Sequence, residues 1–241
     1  MLREIRKKMV ILHNRSPFRQ DVKDCLAALE HREWIHMFLR LSGSRLTEDE
    51  INTMLQGGFV LHAAVEECLL VDRVQQLREY IYRLTDMGAS LSGQILRDMH
   101  AILSGGGREE FRRGGILMEK YGTYSQINGS DVTEAVNELL HFAARKTEGE
   151  NPLEKAAVIH NRILEIYPFS DCNELLALAV LYYVTAEAGY PLAALKLSEK
   201  AYTDLFLYYS RTRDCRGMAQ ALGEAVLARM ELMMQLTGHE I

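Results

Sequence analysis

Apolar residues recur at helical intervals along almost the whole chain. One such stripe predicts a long amphipathic helix and consists of Leu61, Val65, Cys68, Leu77, Ile81 and Leu84. Further helices are predicted from Leu91 to Leu103, to about residue 146 after Asp131, from Pro152 to Ile166, and over residues 173–188, 197–212 and 215–236. Since only four prolines interrupt 241 residues, the pattern predicts an all-α fold.

Capping residues and interruptions of the apolar pattern indicate where helices begin and end. Thr47 and Glu50 have the spacing of a capping box, and Asp131 with Glu134 repeats it. Segment 111–124, "FRRGGILMEKYGTY", departs from the helical rhythm, because it holds two glycines, a short apolar run and two tyrosines. It is predicted to be a loop or a short β-hairpin.

Composition narrows the function classes. The net charge is -5 and the pI is about 5.9, which disfavours nucleic acid and anionic membranes as partners. Four widely separated cysteines predict buried, reduced thiols rather than a zinc site or a disulfide framework. No apolar run approaches the length of a membrane span, so we expect a cytoplasmic protein and leave homo-oligomerisation open.

The segment "YPFSDCNEL", residues 167–175, joins the helix with His160 to the most apolar helix. This order resembles the core of the Fic (Fido) family, whose signature reads His-Pro-Phe-x-Asp/Glu-Gly-Asn-Gly-Arg with a second Arg three residues later. Pro168, Phe169, Asp171 and Asn173 match it. Five positions depart from it and carry Tyr167, Cys172, Glu174, Leu175 and Leu178.

The resemblance covers residues 39–236. It implies an all-α Fic-like domain, residues 89–241, after an N-terminal helical region, residues 1–88. Residues 111–124 correspond to the family's flap, a hairpin that holds a target peptide by strand addition. Residues 38–46 correspond to the inhibitory segment, where Gly43 is kept but Ser42 and Phe38 stand at the inhibitory Glu and its Ser.

The resemblance also implies an activity, the transfer of AMP from ATP onto a protein hydroxyl. The substitutions replace the residues on which this activity depends in the family. The signature His acts as general base, and a tyrosine in its place, Tyr167, has a reference pKa of about 10. His160 lies two helical turns, some ~10 Å, from Tyr167, which is too far for direct proton transfer. We expect it to be a partly buried histidine with a hydrogen-bond partner.

The phosphate cradle loses its glycines and both arginines. Glu174 adds a carboxylate whose repulsion of a phosphate about 4 Å away is roughly 4 kcal/mol at an effective dielectric of about 20. Substitute cations would have to come from the flap, from Arg112, Arg113 or Lys120. Asp171 and Asn173 are interpreted as ordinary N-cap residues. The family's Mg²⁺ role for the acidic residue has little meaning without phosphates.

Three functional hypotheses follow. We expect a Fic-domain protein with an inactive nucleotide site, no cofactor and no metal, which binds a protein or peptide through the flap. Its expected contact residues are Ile116, Leu117, Met118, Tyr121 and Tyr124. The first alternative is a divergent adenylyltransferase using ATP and Mg²⁺, and the second is an unrelated helical interaction domain.

Overall fold

The computed structural model describes residues 1–125, 127–146 and 149–238. The helices in these ranges are α1 (Leu2–Asn14), α2 (Gln20–Leu41), α3 (Glu48–Leu55), α4 (Val65–Asp86), α5 (Gly93–Ser104), α6 (Val132–Ala144), α7 (Pro152–Ile166), α8 (Asn173–Glu187), α9 (Glu199–Thr212) and α10 (Arg216–Thr237). One antiparallel hairpin pairs β1 (Leu117–Met118) with β2 (Thr123–Tyr124), with Leu117 opposite Tyr124. The predicted all-α fold is confirmed.

Helix α8 lies at the centre of the fold. It has no polar face, and every residue from Leu175 to Thr185 is buried. A helix that is apolar all round is stable in water only when other elements surround it. Here α7, α5, α4 and α2 pack against it. The site loop at its N-terminal end is therefore mounted on the most deeply buried element of the chain.

The N-terminal helices share this core. Trp34 of α2 stacks on Tyr182 of α8 with ring centroids 4.5 Å apart, and Phe38 lies 6.3 Å from the same ring. A single hydrophobic cluster reaches from Ile5 to Met230. Residues 1–88 thus contribute directly to the burial of α8.

Two local predictions need correction, and one is confirmed. Helix α4 begins at Val65, and Leu61, placed in its stripe, is 90% exposed in the preceding loop. The Thr47–Glu50 capping box is present, but Asp131 makes no side-chain cap on α6. Its carboxylate accepts a hydrogen bond from Ser130 Oγ instead, at 2.8 Å.

The cysteines were expected to be buried and none of them is. Cys25 and Cys68 are exposed, and Cys172 and Cys215 are half-buried. Among the described residues, no three His, Cys, Asp or Glu side chains are grouped to hold a metal ion. In the same ranges no helix combines the length and hydrophobicity that crossing a membrane requires.

Candidate functional site

A sharp loop, residues 167–172, connects α7 to α8. Two residues with left-handed backbone bound it, Tyr167 at φ 50° and Cys172 at φ 52°. Tyr167 ends α7 by donating its backbone N–H to Ile163 O at 2.8 Å. A left-handed conformation is ordinarily a glycine's. Cys172 therefore keeps a backbone shape that favours glycine, although it has a side chain.

Asn173 fastens the loop from inside. Its Oδ1 accepts the backbone N–H of Phe169, and its Nδ2 donates to the carbonyl of Phe169, both at 3.0 Å. Asn173 is fully buried, so these bonds have no competition from water. The interpretation of Asn173 as the N-cap is wrong, because Cys172 is the N-cap of α8 and makes no side-chain cap.

Phe169 and Asp171 both contact His100 of α5. The Phe169 ring stacks on the imidazole with centroids 3.9 Å apart and planes 10° apart. The imidazole Nε2 lies 2.9 Å from Asp171 Oδ1. Asp171 therefore binds a histidine rather than capping α8, which corrects the N-cap interpretation. The other imidazole nitrogen, Nδ1, is buried without a hydrogen-bond partner among the described residues.

Tyr167 and Glu174 form the outward face of the loop. The Tyr167 hydroxyl donates to Glu174 Oε1 at 2.8 Å. Burial, followed by the Glu174 charge, raises the pKa of Tyr167 well above its ordinary value. The phenol is thus protonated at neutral pH and is a hydrogen-bond donor, not a base.

The two leucines at the positions of the family's arginines differ in depth. Leu175 is 8% exposed and Leu178 is fully buried. Leu178 lies among the apolar side chains that surround α8. An arginine there would place its charge in the hydrophobic core.

Two of the three candidate cations of the flap, Arg112 and Lys120, are bonded to other groups of the protein. Arg112 Nε donates to Tyr167 O at 2.7 Å, and its Nη2 donates to Ile166 O and Ile127 O, each at 2.9 Å. Lys120 Nζ lies 2.9 Å from Glu199 Oε1 and donates to Leu41 O at 3.0 Å. Arg112 thus ties the flap to the loop. Of the three candidates, Arg113 alone is exposed.

The expected flap contacts need correction too. Met118 is 3% exposed, and Tyr121 is 8% exposed with its ring 4.6 Å from Phe206 of α9. Both hold the flap to the domain and are not free anchors. Leu117 is 44% exposed and Ile116 is half-buried. The side chain of Tyr124 lies outside the described residues.

A cleft of about 740 Å³ opens between the loop, the flap and the end of α2. Its lining residues include Tyr167, Asp171, Cys172, Glu174, Ile116, Leu117, Glu119, Lys120, Leu41, Ser42, Gly43 and Glu199. The segment compared with the inhibitory helix therefore does reach the cleft. Ser42, at the position of the inhibitory Glu, donates its hydroxyl back to Leu39 O at 2.7 Å.

His160 is not among the residues that line the cleft. It is fully buried, with Nε2 2.5 Å from the Tyr202 hydroxyl and Nδ1 3.0 Å from Asn161 Oδ1. Burial lowers its pKa from 6.5 to about 4. His160 is therefore a neutral histidine of the core, and it is more deeply buried than predicted.

Sequence reasoning missed two positioning residues of the loop, His100 and Arg112. His100 was noted only as part of a His-x-x-Leu pattern, and Arg112 only as a candidate cation. A histidine on the apolar face of α5 was a usable signal, since buried polar groups require partners. Nothing in the sequence around Arg112 indicates that it bonds backbone carbonyls of residues 166 and 167.

Residues 90–185 match the family model described as Fic/DOC family. A Fic-domain-containing signalling protein from Bacteroides thetaiotaomicron superposes with a TM-score of 0.81 at 16% identity, over 99% of this chain and 98% of that one. A fragment of Fic-1 from C. elegans gives 0.79 at 16% identity, over 98% and 70%.

A Fic family protein from Desulfovibrio desulfuricans gives a TM-score of 0.75 at 17% identity, over 100% of this chain and 75% of that one. No curated protein matches the chain. Residues 90–185 thus match the Fic/DOC family, and the chain shares its fold with solved Fic-domain structures over nearly its full length. This excludes the alternative of an unrelated helical domain.

Proposed function

We propose that the nucleotide site of this Fic-domain protein is inactive and that the protein acts by binding a protein or peptide partner. The observation that carries the proposal is the Tyr167–Glu174 hydrogen bond at the N-terminal end of α8. In the family this is where phosphate is held, by backbone N–H groups and arginines. Here a carboxylate occupies the place, and the nearby Arg112 and Lys120 are bonded to other groups.

The side chains also lack the means to activate a target hydroxyl. A general base works best with a pKa near the operating pH. The pKa of Tyr167 is raised, not lowered, and its proton is already committed to Glu174. His160 cannot replace it, because its two nitrogens face Tyr202 and Asn161 in the core. These groups support binding rather than transfer.

The flap is the expected binding element. Its sheet has two strands, so among the described residues no strand covers the outer edge of β1. Exposed strand edges accept extended peptides through backbone hydrogen bonds. Ile116 and Leu117 stand beside this edge and line the cleft. Arg112 holds the base of the flap in place, which reduces the entropy lost when a partner binds.

Isothermal titration with Mg-ATP up to millimolar concentrations tests the inactive site. We expect no saturable heat from the wild-type chain. Glu174→Gln is the matched variant, since its amide oxygen still accepts from Tyr167 while the negative charge is removed. Saturable binding by the wild type, or transfer of labelled AMP from ATP to any protein, would overturn the proposal and favour the divergent adenylyltransferase.

A further inference from the structure

Another cavity lies at the far end of α8, next to Gly189 and Tyr190, and we call it the α8-end cavity. Its volume is about 570 Å³, which is within the range of pockets that bind drug-sized molecules. Since α8 has 15 residues, this cavity is roughly 20 Å along the helix axis from the loop at residues 167–172. Among the described residues, none lines both the cavity and the cleft. The α8-end cavity is therefore separate from the surface proposed to bind a peptide.

The walls of the α8-end cavity are mainly apolar and come from α1, the segment that joins α1 to α2, α2, the segment after α8, and α10. The apolar side chains include Met9, Leu12, Phe18, Leu26, Tyr190 and Met230. Protein interiors rarely leave spaces larger than a water molecule unfilled. Methionine side chains are flexible and adapt to ligands of irregular shape. An apolar hollow of this size is thus suited to an apolar molecule.

One charged side chain reaches the cavity from within the protein. Arg229 of α10 is a lining residue, although its side chain is only 5% exposed. Its Nη2 donates to Glu33 Oε2, whereas Nε and Nη1 have no partner among the described residues. Neither nitrogen is among the polar atoms that the described part of the chain encloses completely without a partner. Their N–H groups are therefore open to the cavity, and an acceptor atom on a bound molecule would satisfy them.

The buried charges around the cavity are already paired. Glu33 neutralises Arg229. Glu30 is also a lining residue and is 6% exposed. It accepts hydrogen bonds from Arg78 Nε and from the Tyr82 hydroxyl, each at 2.7 Å. A ligand with a net charge would meet charges that are already neutralised, and burying an unpaired charge is costly.

The rim of the cavity is balanced in the same way. Lys23 and Asp86 are exposed lining residues and contribute one charge of each sign. With histidine counted as neutral, the charged lining residues and their ion-pair partners therefore carry no net charge. Such a lining favours an uncharged ligand. The free N–H groups of Arg229 then select an oxygen acceptor, such as a carbonyl or an amide oxygen.

We propose that the α8-end cavity binds an uncharged small molecule with an apolar body and one carbonyl or amide oxygen. The oxygen accepts a hydrogen bond from Nε or Nη1 of Arg229, and the apolar body lies against Met9, Phe18 and Met230. A hydrogen bond from a charged donor is stronger than one from a neutral donor, so Arg229 orients the molecule while the apolar walls supply most of the affinity. This site does not depend on the proposed peptide binding at the flap.

Titration with Nile red tests the cavity, because this uncharged dye has an apolar ring system and a carbonyl oxygen and fluoresces strongly only in apolar surroundings. We expect saturable binding by the wild type. Ala27 is an exposed lining residue, and Ala28 is exposed on the same helix outside the lining. Ala27→Trp places a large ring in the cavity and should weaken binding roughly tenfold or more, whereas Ala28→Trp should bind like the wild type. No saturable binding, or equal affinity of the two variants, would overturn the site.

Three naphthalene compounds with the same apolar body test the head group of the ligand. At neutral pH naphthylacetamide is uncharged, naphthylacetate is an anion and naphthylethylamine is a cation. We expect the amide to displace Nile red at concentrations roughly tenfold lower than either charged compound requires. Displacement by a charged compound at the same or a lower concentration would overturn the uncharged class, as would failure of the amide to displace the dye.

Arg229→Lys tests the hydrogen bond without removing the charge that pairs with Glu33. Lysine lacks the fork of N–H groups, so naphthylacetamide should bind about fivefold to tenfold more weakly. Arg216→Lys, on the same helix outside the lining, is the control and should bind like the wild type. Urea denaturation checks that both variants are folded. Equal affinity of the two folded variants would remove Arg229 from the site.

Discussion

The loop of residues 167–172 and the first turns of α8 contain two sets of positions whose side chains make different kinds of contact. The four positions that match the family signature, Pro168, Phe169, Asp171 and Asn173, are held by contacts inside the protein: Asn173 bonds Phe169, Phe169 stacks on His100, and Asp171 binds His100. Pro168 accepts the backbone N–H of Arg112 at 2.9 Å.

The side chains at the five substituted positions take the place of groups that would bind phosphate in the family. Tyr167 and Glu174 satisfy each other, and Leu178 fills the core. Cys172, at a glycine position of the signature, keeps a left-handed backbone that favours glycine. The loop's shape therefore depends on the matched residues, whose contacts do not require a nucleotide. Shape and chemistry are therefore separable here.

The largest expected effect comes from restoring an arginine. Leu178→Arg should lower the free energy of unfolding by about 3 kcal/mol or more, because it buries a charge without a partner. Leu175→Arg, nearer the surface at 8% exposure, should cost clearly less. Urea denaturation of both variants measures the difference. Equal costs would show that the environment at residue 178 is not apolar.

A matched position should be nearly as sensitive. Asn173→Ala leaves the backbone N–H and C=O of Phe169 without their bonds, so we expect a loss of about 1–3 kcal/mol. Ser170→Ala, in the same loop but exposed, should stay within about 0.5 kcal/mol. Similar stabilities of the two variants in urea would refute the claim that Asn173 fastens the loop.

The buried histidine before the loop predicts a pH dependence. The pKa of His160 falls from 6.5 unfolded to about 4 folded, so the unfolded state binds more protons in this window. Unfolding free energy should therefore decrease as the pH falls, by about 2 kcal/mol between about pH 7.5 and about pH 5.

Urea denaturation of the wild type and His160→Gln across this range isolates that contribution. The variant lacks the titrating group, so its stability should depend less on pH by this amount. Parallel curves for the two proteins would mean that His160 is not held neutral in the core.

The smallest expected effect lies at a substituted position. Tyr167→Phe removes one hydrogen bond to a half-buried carboxylate and should cost about 1 kcal/mol or less. Tyr208→Phe, with an exposed hydroxyl-bearing ring at 48% exposure, is the control and should be neutral. A cost for Tyr167→Phe as large as that of Asn173→Ala would remove the distinction between the matched and the substituted positions.

Much of the fold could be predicted because the sequence signals of a helix, apolar spacing and capping residues, are local. The apolar run of α8, the Thr47 capping box and the ends of α7 follow from spacing and capping chemistry within a few residues. The errors arose where residues with the expected spacing did not take the expected local role. Leu61 continues a stripe but precedes the helix, and Asp131 has cap spacing but bonds Ser130.

The sequence by itself determined the helical class, the central apolar helix and the loss of the residues that handle phosphate. It did so because periodicity, capping and residue type are local properties. Only the tertiary structure decided that Asp171 binds His100, that Arg112 ties the flap to the loop, and that Tyr121 is buried on Phe206. Those partners are 71, 54 or 55, and 85 residues apart along the chain. Such pairs form only when the burial of α8 brings their elements together.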